Sequence, residues 1–356
     1  MDIGIIGLPG SGKSALYHAL TGVATPVGRY GAGGGVETLA APVSDARLEA
    51  AAALEESRKI TYAHVAVSDV TGLISGEKGT RQTSAELLGK VRQFDLLVIV
   101  LRAFRSDAVP HLFGSVDPAR DMAEVESELM LGDLTIIERR IEKIRMTKTP
   151  PREQRAENEA ETAVLGKIRT QLENGVPVRA AEIEESDRRR LAHFAFLTAR
   201  QPLFCLNVDD DRLHDPLPPF LDGRFSVAAA IETEGALRDL SESDRMEFAE
   251  ALGVTVPIGE RVMRAALDAA GKATFFTIGP TESRAWLIND KERAVDAAGK
   301  IHKDIARGFI RAEVVALDDY MAHGPWKKLK GGPHVREEGK DCPVRDGDVV
   351  NVRFSA

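Results

Sequence analysis

The chain has 356 residues, 43% of them hydrophobic and 29% charged, with a formal net charge of −8. That length predicts two to three domains with ordinary cores, and the acidic balance excludes a protein that coats nucleic acid over its whole surface. The longest strongly apolar run, Leu96 to Leu101, is too short to cross a bilayer, and the start at Met1-Asp2-Ile3-Gly4 lacks the basic and long apolar parts of a secretory leader, so a cytoplasmic protein without membrane contact is expected. Cys205 and Cys342 form neither a disulfide framework nor a zinc spacing.

In chain order, apolar runs bounded by turn residues predict strands at Ile3 to Ile6, Ala63 to Val67 and Leu96 to Leu101, with helices near Ala15 to Leu20 and Ala85 to Val91. This alternation predicts a parallel sheet. From Met122, apolar residues at three- and four-residue steps (Val125, Leu129, Ile136, Ile137, Ile141, Ile144) predict one long amphipathic helix, broken at Thr149-Pro150-Pro151. A second helix carries Ala160, Val164, Ile168 and Leu172 and ends near Gly175. The two are expected to pack antiparallel. Strands at Leu203 to Val208 and Phe225 to Ala230, and helices at Asp244 to Leu252 and Gly259 to Ala270, return the α/β pattern. Past Ala273 the pattern predicts short strands at Thr274 to Ile278, Ser283 to Ile288, Gly308 to Val315 and Asp348 to Phe354, around one helix from Ala294 to Ala306. That is a small α+β domain.

Between the first strand and the first helix lies Gly7-Leu8-Pro9-Gly10-Ser11-Gly12-Lys13-Ser14, which fits the phosphate-binding G-x-x-x-x-G-K-[ST]. In such a loop the backbone N–H groups of Gly10 through Ala15 converge on phosphates, Lys13 reaches the β and γ phosphates, and Ser14 ligates Mg²⁺. A second strand ends at Asp69, placed to hold the metal's water shell, and Asp69-Val70-Thr71-Gly72 fits D-x-x-G, in which the Gly72 N–H meets the γ-phosphate. Leu73 follows where many GTPases keep a water-orienting glutamine. Asn207-Val208-Asp209-Asp210 resembles the N-K-x-D guanine reader with valine in place of lysine. A carboxylate at Asp210 accepts from guanine, while adenine offers its amino group, so the residues leave ATP and GTP both open.

Taken together, these parts resemble the YchF family of Obg-like ATPases, and the likeness covers nearly the whole chain. It is most specific at Ala297-Ala298-Gly299-Lys300-Ile301-His302, Gly308-Phe309-Ile310-Arg311-Ala312, Glu338-Gly339-Lys340-Asp341 and Asp346-Gly347-Asp348-Val349-Val350-Asn351. The resemblance implies a P-loop NTPase domain (residues 1–116 and 199–272), an inserted coiled-coil-like helical domain (117–198) and a C-terminal β-grasp TGS domain (273–356). It further implies a Mg²⁺-dependent ATPase that binds ribosomes, with His111 as the catalytic group in place of glutamine. The family's base motif ends in Glu where this chain has Asp210. Its loop carries Asn at Gly10, where a side chain helps to bind a monovalent cation, so potassium stimulation is not expected here. The first switch is replaced by the glycine tract Gly31 to Gly35, with Thr38 nearby, and Ala32 stands where some relatives have cysteine.

Basic residues cluster where the helical pair turns, at Arg139, Arg140, Lys143, Arg145, Lys148, Arg152 and Arg155, and again at Trp326-Lys327-Lys328-Leu329-Lys330. Through these the helical insert and the TGS domain are expected to contact ribosomal RNA, with the large subunit as the partner that the resemblance implies. A monomer is expected. Two other readings remain open from sequence: a nucleotide-binding module without turnover, and a GTPase if Asp210 reads guanine.

Overall fold

A computed structural model describes residues 1–22, 36–71, 81–147 and 151–355. The chain begins with β1 (Asp2–Gly7), α1 (Lys13–Thr21), β2 (Val36–Val43), α2 (Ala46–Leu54), β3 (Ile60–Thr61), β4 (Ala63–Val70), α3 (Arg81–Val91) and β5 (Leu96–Arg102). Next come α4 (Pro118–Met146), α5 (Arg152–Glu173), α6 (Glu185–Leu191), β6 (Leu203–Asn207), β7 (Ser226–Ala229), α7 (Ile231–Ala236), α8 (Glu242–Ala251) and α9 (Ile258–Ala269). It ends with β8 (Lys272–Thr277), β9 (Ser283–Asn289), α10 (Ala294–Ile301), α11 (Lys303–Arg307), β10 (Phe309–Val315), α12 (Leu317–His323), α13 (Trp326–Leu329), β11 (Arg336–Glu338) and β12 (Val349–Phe354).

Two compact units result: residues 1–39 with 66–255, and residues 40–65 with 256–356. In the first, a six-stranded sheet runs in the order β2-β4-β1-β5-β6-β7, and β4, β1, β5, β6 and β7 are parallel neighbours. β1 and β5 are buried almost throughout, which explains why they read as unbroken apolar runs rather than alternating ones. The register aligns Gly7 with Val100 and Arg102 with Asn207, so the carboxyl ends of the central strands finish together.

Asp117 starts α4 by accepting from the Arg120 N–H, with Pro118 at the first helical position. The 29 residues of α4 serve two cores. Met122, Val125 and Leu129 pack against β5 and β6, whereas Ile137 and Ile141 pack with Val164, Leu165 and Ile168 of α5. Where the cores meet, buried Asp133 accepts from Arg92 Nη1, from the Leu197 and Thr198 N–H groups and from Thr198 Oγ1. That full pairing is what makes a buried carboxylate tolerable.

In the second unit a mixed sheet of order β11-β10-β12-β8-β9-β3 is covered by α10, whose Ala294, Ala297 and Ala298 pack on Phe275, Ile288 and Val314. Its strands β8 to β12 with α10 form the small α+β arrangement expected past Ala273. The single helix expected from Ala294 to Ala306 is instead two. His302 is extended (φ −163°) and its Nδ1 accepts from the Asp304 N–H, closing α10 and starting α11. Histidine is an uncommon cap, so the pattern carried no stop signal there.

Candidate functional site

The loop between β1 and α1 needs its glycines for separate reasons. A side chain on Gly7 would meet the Val100 carbonyl at 2.5 Å. Gly10 (φ +74°) and Gly12 (φ +100°) lie in the left-handed region that L side chains rarely adopt, and a Cβ on Gly12 would stand 2.3 Å from Asn207 Nδ2. α1 starts at Lys13 with no side-chain cap hydrogen bond, and the first N–H groups of a helix have no partner within it, while the Ser11 N–H just ahead donates to the Leu8 carbonyl at 3.2 Å. Ser11 is buried, its Oγ without a hydrogen-bond partner among the described residues, and Ala15 is half-buried in the first turn. Lys13, itself half-buried, donates from Nζ to the Leu8 carbonyl at 2.8 Å, and burial pushes its ammonium down to about 8, with Asp69 pulling the other way.

Ser14 and Asp69 meet here: Ser14 Oγ donates to Asp69 Oδ2 at 2.7 Å, while Asp69 Oδ1 is buried without a hydrogen-bond partner among the described residues. Thr38 lies in β2, where its Oγ1 shares a 2.7 Å hydrogen bond with Ser68 Oγ. Gly72, Leu73 and the Gly31 to Gly35 tract lie outside the described residues.

The base motif splits by strand alternation. Asn207 faces the loop, its Nδ2 donating to the Ser11 carbonyl at 3.0 Å and its Oδ1 accepting from the Ile231 N–H at 3.2 Å. Both ends of the amide therefore brace the phosphate loop against the start of α7, a partner that the sequence reading missed. Val208 points to the α4 side and is 5% exposed. On that side a cavity of about 360 Å³, bounded by Ala103, Val208, Phe220 and Ala228, stands apart from the phosphate loop. Asp209 accepts from the Arg105 N–H, leaving Asp210 exposed at the head of a turn.

His111 is placed differently from a free loop histidine. Its Nδ1 accepts from the Phe113 N–H and its Nε2 lies 2.9 Å from Asp121 Oδ2 in the first turns of α4. An accepting Nδ1 puts the ring proton on Nε2, so both nitrogens are used within the protein. Closer to the loop stands a residue unnoticed in the sequence. Arg102, 2% exposed at the end of β5, donates weakly to the carbonyls of Phe104 and Ser106, and its Nη1 has no hydrogen-bond partner among the described residues. That Nη1 is 3.6 Å from where a Gly10 side chain would begin.

A glycine loop that opens a helix, a half-buried lysine and a serine–aspartate pair at the carboxyl edge of a parallel sheet are what holding a polyphosphate requires, and the first unit is a P-loop nucleotide-binding domain. Comparison with known proteins agrees. Residues 273–355 match the YchF GTPase C-terminal family, described as "Protein of unknown function (DUF933)". The chain is 32% identical to the "Ribosome-binding ATPase YchF" of Escherichia coli O157:H7 over 99% of its length and 98% of the relative's. It is 31% identical to the protein so named in Bacillus subtilis (100% and 99%), and 27% identical to "Obg-like ATPase 1" of rice (100% and 92%). The solved structure of the Schizosaccharomyces pombe YchF GTPase shares the fold, with a TM-score of 0.82 at 23% identity, covering 99% of this chain and 97% of that one. The chain belongs to the YchF family.

Proposed function

We propose that the protein is a Mg²⁺-dependent ATPase that hydrolyses ATP to ADP slowly and couples its nucleotide state to binding the ribosome. The observation that carries the reading is the meeting of Lys13, Ser14 and Asp69 at the glycine loop that opens α1. ATP and the ribosome enter from the names of the relatives. In this reading the N–H groups of Gly10, Gly12, Lys13, Ser14 and Ala15 hold the phosphates, that of Ser11 joins them by leaving the Leu8 carbonyl, and Arg102 adds a fixed cation beside Gly10. The donor set suits Mg²⁺, a hard ion that keeps several waters: Ser14 Oγ would bind it, and the unpartnered Asp69 Oδ1 would hold its water shell. Held there, the ion would supply positive charge against the phosphates. Gly72, outside the described residues, is assigned to the γ-phosphate from the D-x-x-G spacing alone. Asn207 fixes the loop under the base, beside Val208, and exposed Asp210 reads the base edge, which keeps GTP open.

For His111 to position water, its ring must exchange Asp121 for the substrate side. The pairing seen here favours a second reading, a nucleotide-holding module with little turnover. RNA contact is assigned to the exposed Arg139, Lys143, Arg145 and Arg155, since Arg140 is engaged by Glu161; Lys148 and the side chain of Arg152 lie outside the described residues. Trp326 to Lys330 is the matching patch proposed in the TGS domain. The large ribosomal subunit is the proposed partner, met by a cytoplasmic monomer.

The test is a paired titration with Mg-ATP and Mg-GTP, reading thermal stabilisation and phosphate release on the same samples, with Lys13→Ala and His111→Ala variants. ATP-selective stabilisation with phosphate release, the release falling in both variants, is the expected outcome. Stabilisation without release selects the module, GTP selectivity selects Asp210 as a guanine reader, and no stabilisation by either nucleotide overturns the reading.

A further inference from the structure

Away from the phosphate loop, the second unit brings two histidines and an aspartate together on its surface. Asp319 and His323 lie four residues apart on α12, hence on one face of the helix, and His334 arrives from the turn after α13. His334 Nδ1 is 3.4 Å from Asp319 Oδ1, the His323 and His334 rings stack with centroids 3.8 Å apart, and one ligand atom from each of the three lies within 4.8 Å of the others. We propose that Asp319, His323 and His334 form a binding site for a divalent transition-metal ion, fitted to Zn²⁺.

The scaffold under this cluster is fixed. Tyr320, between the two helical ligands, is fully buried, and its hydroxyl donates to Glu55 Oε2 at 2.5 Å. Val335, next to His334, packs against the same buried cluster as Tyr320 and Leu329. Both arms of the site are therefore seated in one core, which limits the ordering cost of binding. Two imidazoles with one carboxylate select zinc-like ions, because Mg²⁺ and Ca²⁺ prefer all-oxygen shells.

Tetrahedral coordination at about 2.0–2.1 Å places ligand atoms roughly 3.3 Å apart. The aspartate and His334 are already at that spacing, and rotation of the exposed His323 ring out of its stack closes the remainder. Three protein ligands leave the fourth position to water, the arrangement of an open site. The ion would pin the turn at His334 to α12, independently of any nucleotide.

The experiment uses the full chain, metal-stripped and nucleotide-free, in excess Mg²⁺. ZnCl₂ is titrated calorimetrically into the unmodified protein, His323→Ala and Asp319→Asn, and Co²⁺ replaces Zn²⁺ for visible absorption. One Zn²⁺ equivalent is expected in the unmodified protein, weakened at least about tenfold in each variant, together with loss of the Co²⁺ bands of a low-coordinate site. Equal stoichiometry and affinity in all three proteins overturns the site. Should a variant misfold, histidine-ring NMR of the unmodified protein decides: His323 and His334 signals must move together on adding one equivalent of Zn²⁺, and signals that stay in place overturn the proposal.

Discussion

At Gly12 the backbone conformation and the space around it make the same demand. Gly12→Ala would place a methyl group against Asn207 Nδ2 at φ +100°, so the variant is expected to lose about 1–3 kcal/mol of stability and to release the Asn207 brace on the Ser11 carbonyl. Thermal melts and an ATP titration read both effects; wild-type values in each would remove the brace. Lys13 gives a pH signature. Its ammonium titrates at about 8 when folded against an ordinary value of 10.5. Below pH 8 both states carry the proton and the cost of burial is fully expressed; between 8 and 10.5 the unfolded chain binds the extra proton, so this residue's share of stability rises with pH. Phosphate binding runs the other way, because it needs the charged form. ATP affinity is therefore expected to be about tenfold weaker at pH 9 than at pH 7, and a flat profile would contradict a buried ammonium at the phosphates. The loop was legible in sequence because glycine geometry is local and leaves a spaced signature. Arg102 and the pairing of His111 with Asp121 were not: a charged residue at a strand end reads as exposed, and a contact ten residues away leaves no pattern.

Among the elements, the helical pair owes its cohesion to more than apolar packing. Arg140 on α4 grips Glu161 on α5 through two 2.7 Å hydrogen bonds, and this grip holds the Glu161 carboxyl below its ordinary value although burial opposes it. Arg140→Met would leave a buried carboxylate unpaired. Such losses run to about 3–5 kcal/mol, but Arg140 is 32% exposed, so about 2 kcal/mol is expected. Because the folded carboxyl titrates low, the pair stabilises the protein above the ordinary glutamate range and its contribution fades as pH falls through the folded value. The variant's deficit should accordingly shrink in acid, and a deficit independent of pH would assign the loss to packing. Both helices were readable from their apolar periodicity. Their ion pair was not, since the same arginines suited a solvated or RNA-facing surface equally well, and alanine-rich α2 offered too few large apolar positions to register at all.

The whole chain is organised by one long excursion. Residues 40–65 leave the nucleotide-binding unit and pack with residues 256–356: Ala51 shares a buried cluster with Val315, Tyr320 and Val349, while Asp45 and Arg47 interlock with Arg264 and Asp346. A fragment of residues 256–356 alone would leave Glu55's partners Tyr320 and Trp326 and the Asp346 carboxylate short of contacts. Its amide NMR spectrum is expected to be poorly dispersed, with dispersion restored by supplying residues 40–65 as a peptide; a well-dispersed fragment would make the excursion dispensable. Sequence alone did not disclose this association, because pairings across more than two hundred residues leave no local periodicity. The excursion also sets a timetable for synthesis. Once residues 40–65 have been translated, roughly 190 further residues must be added before their first partner is made. At about 5–20 residues per second, the alanine-rich face of α2 then waits on the order of 10–40 s without a core, a window in which a nascent-chain chaperone has something apolar to hold.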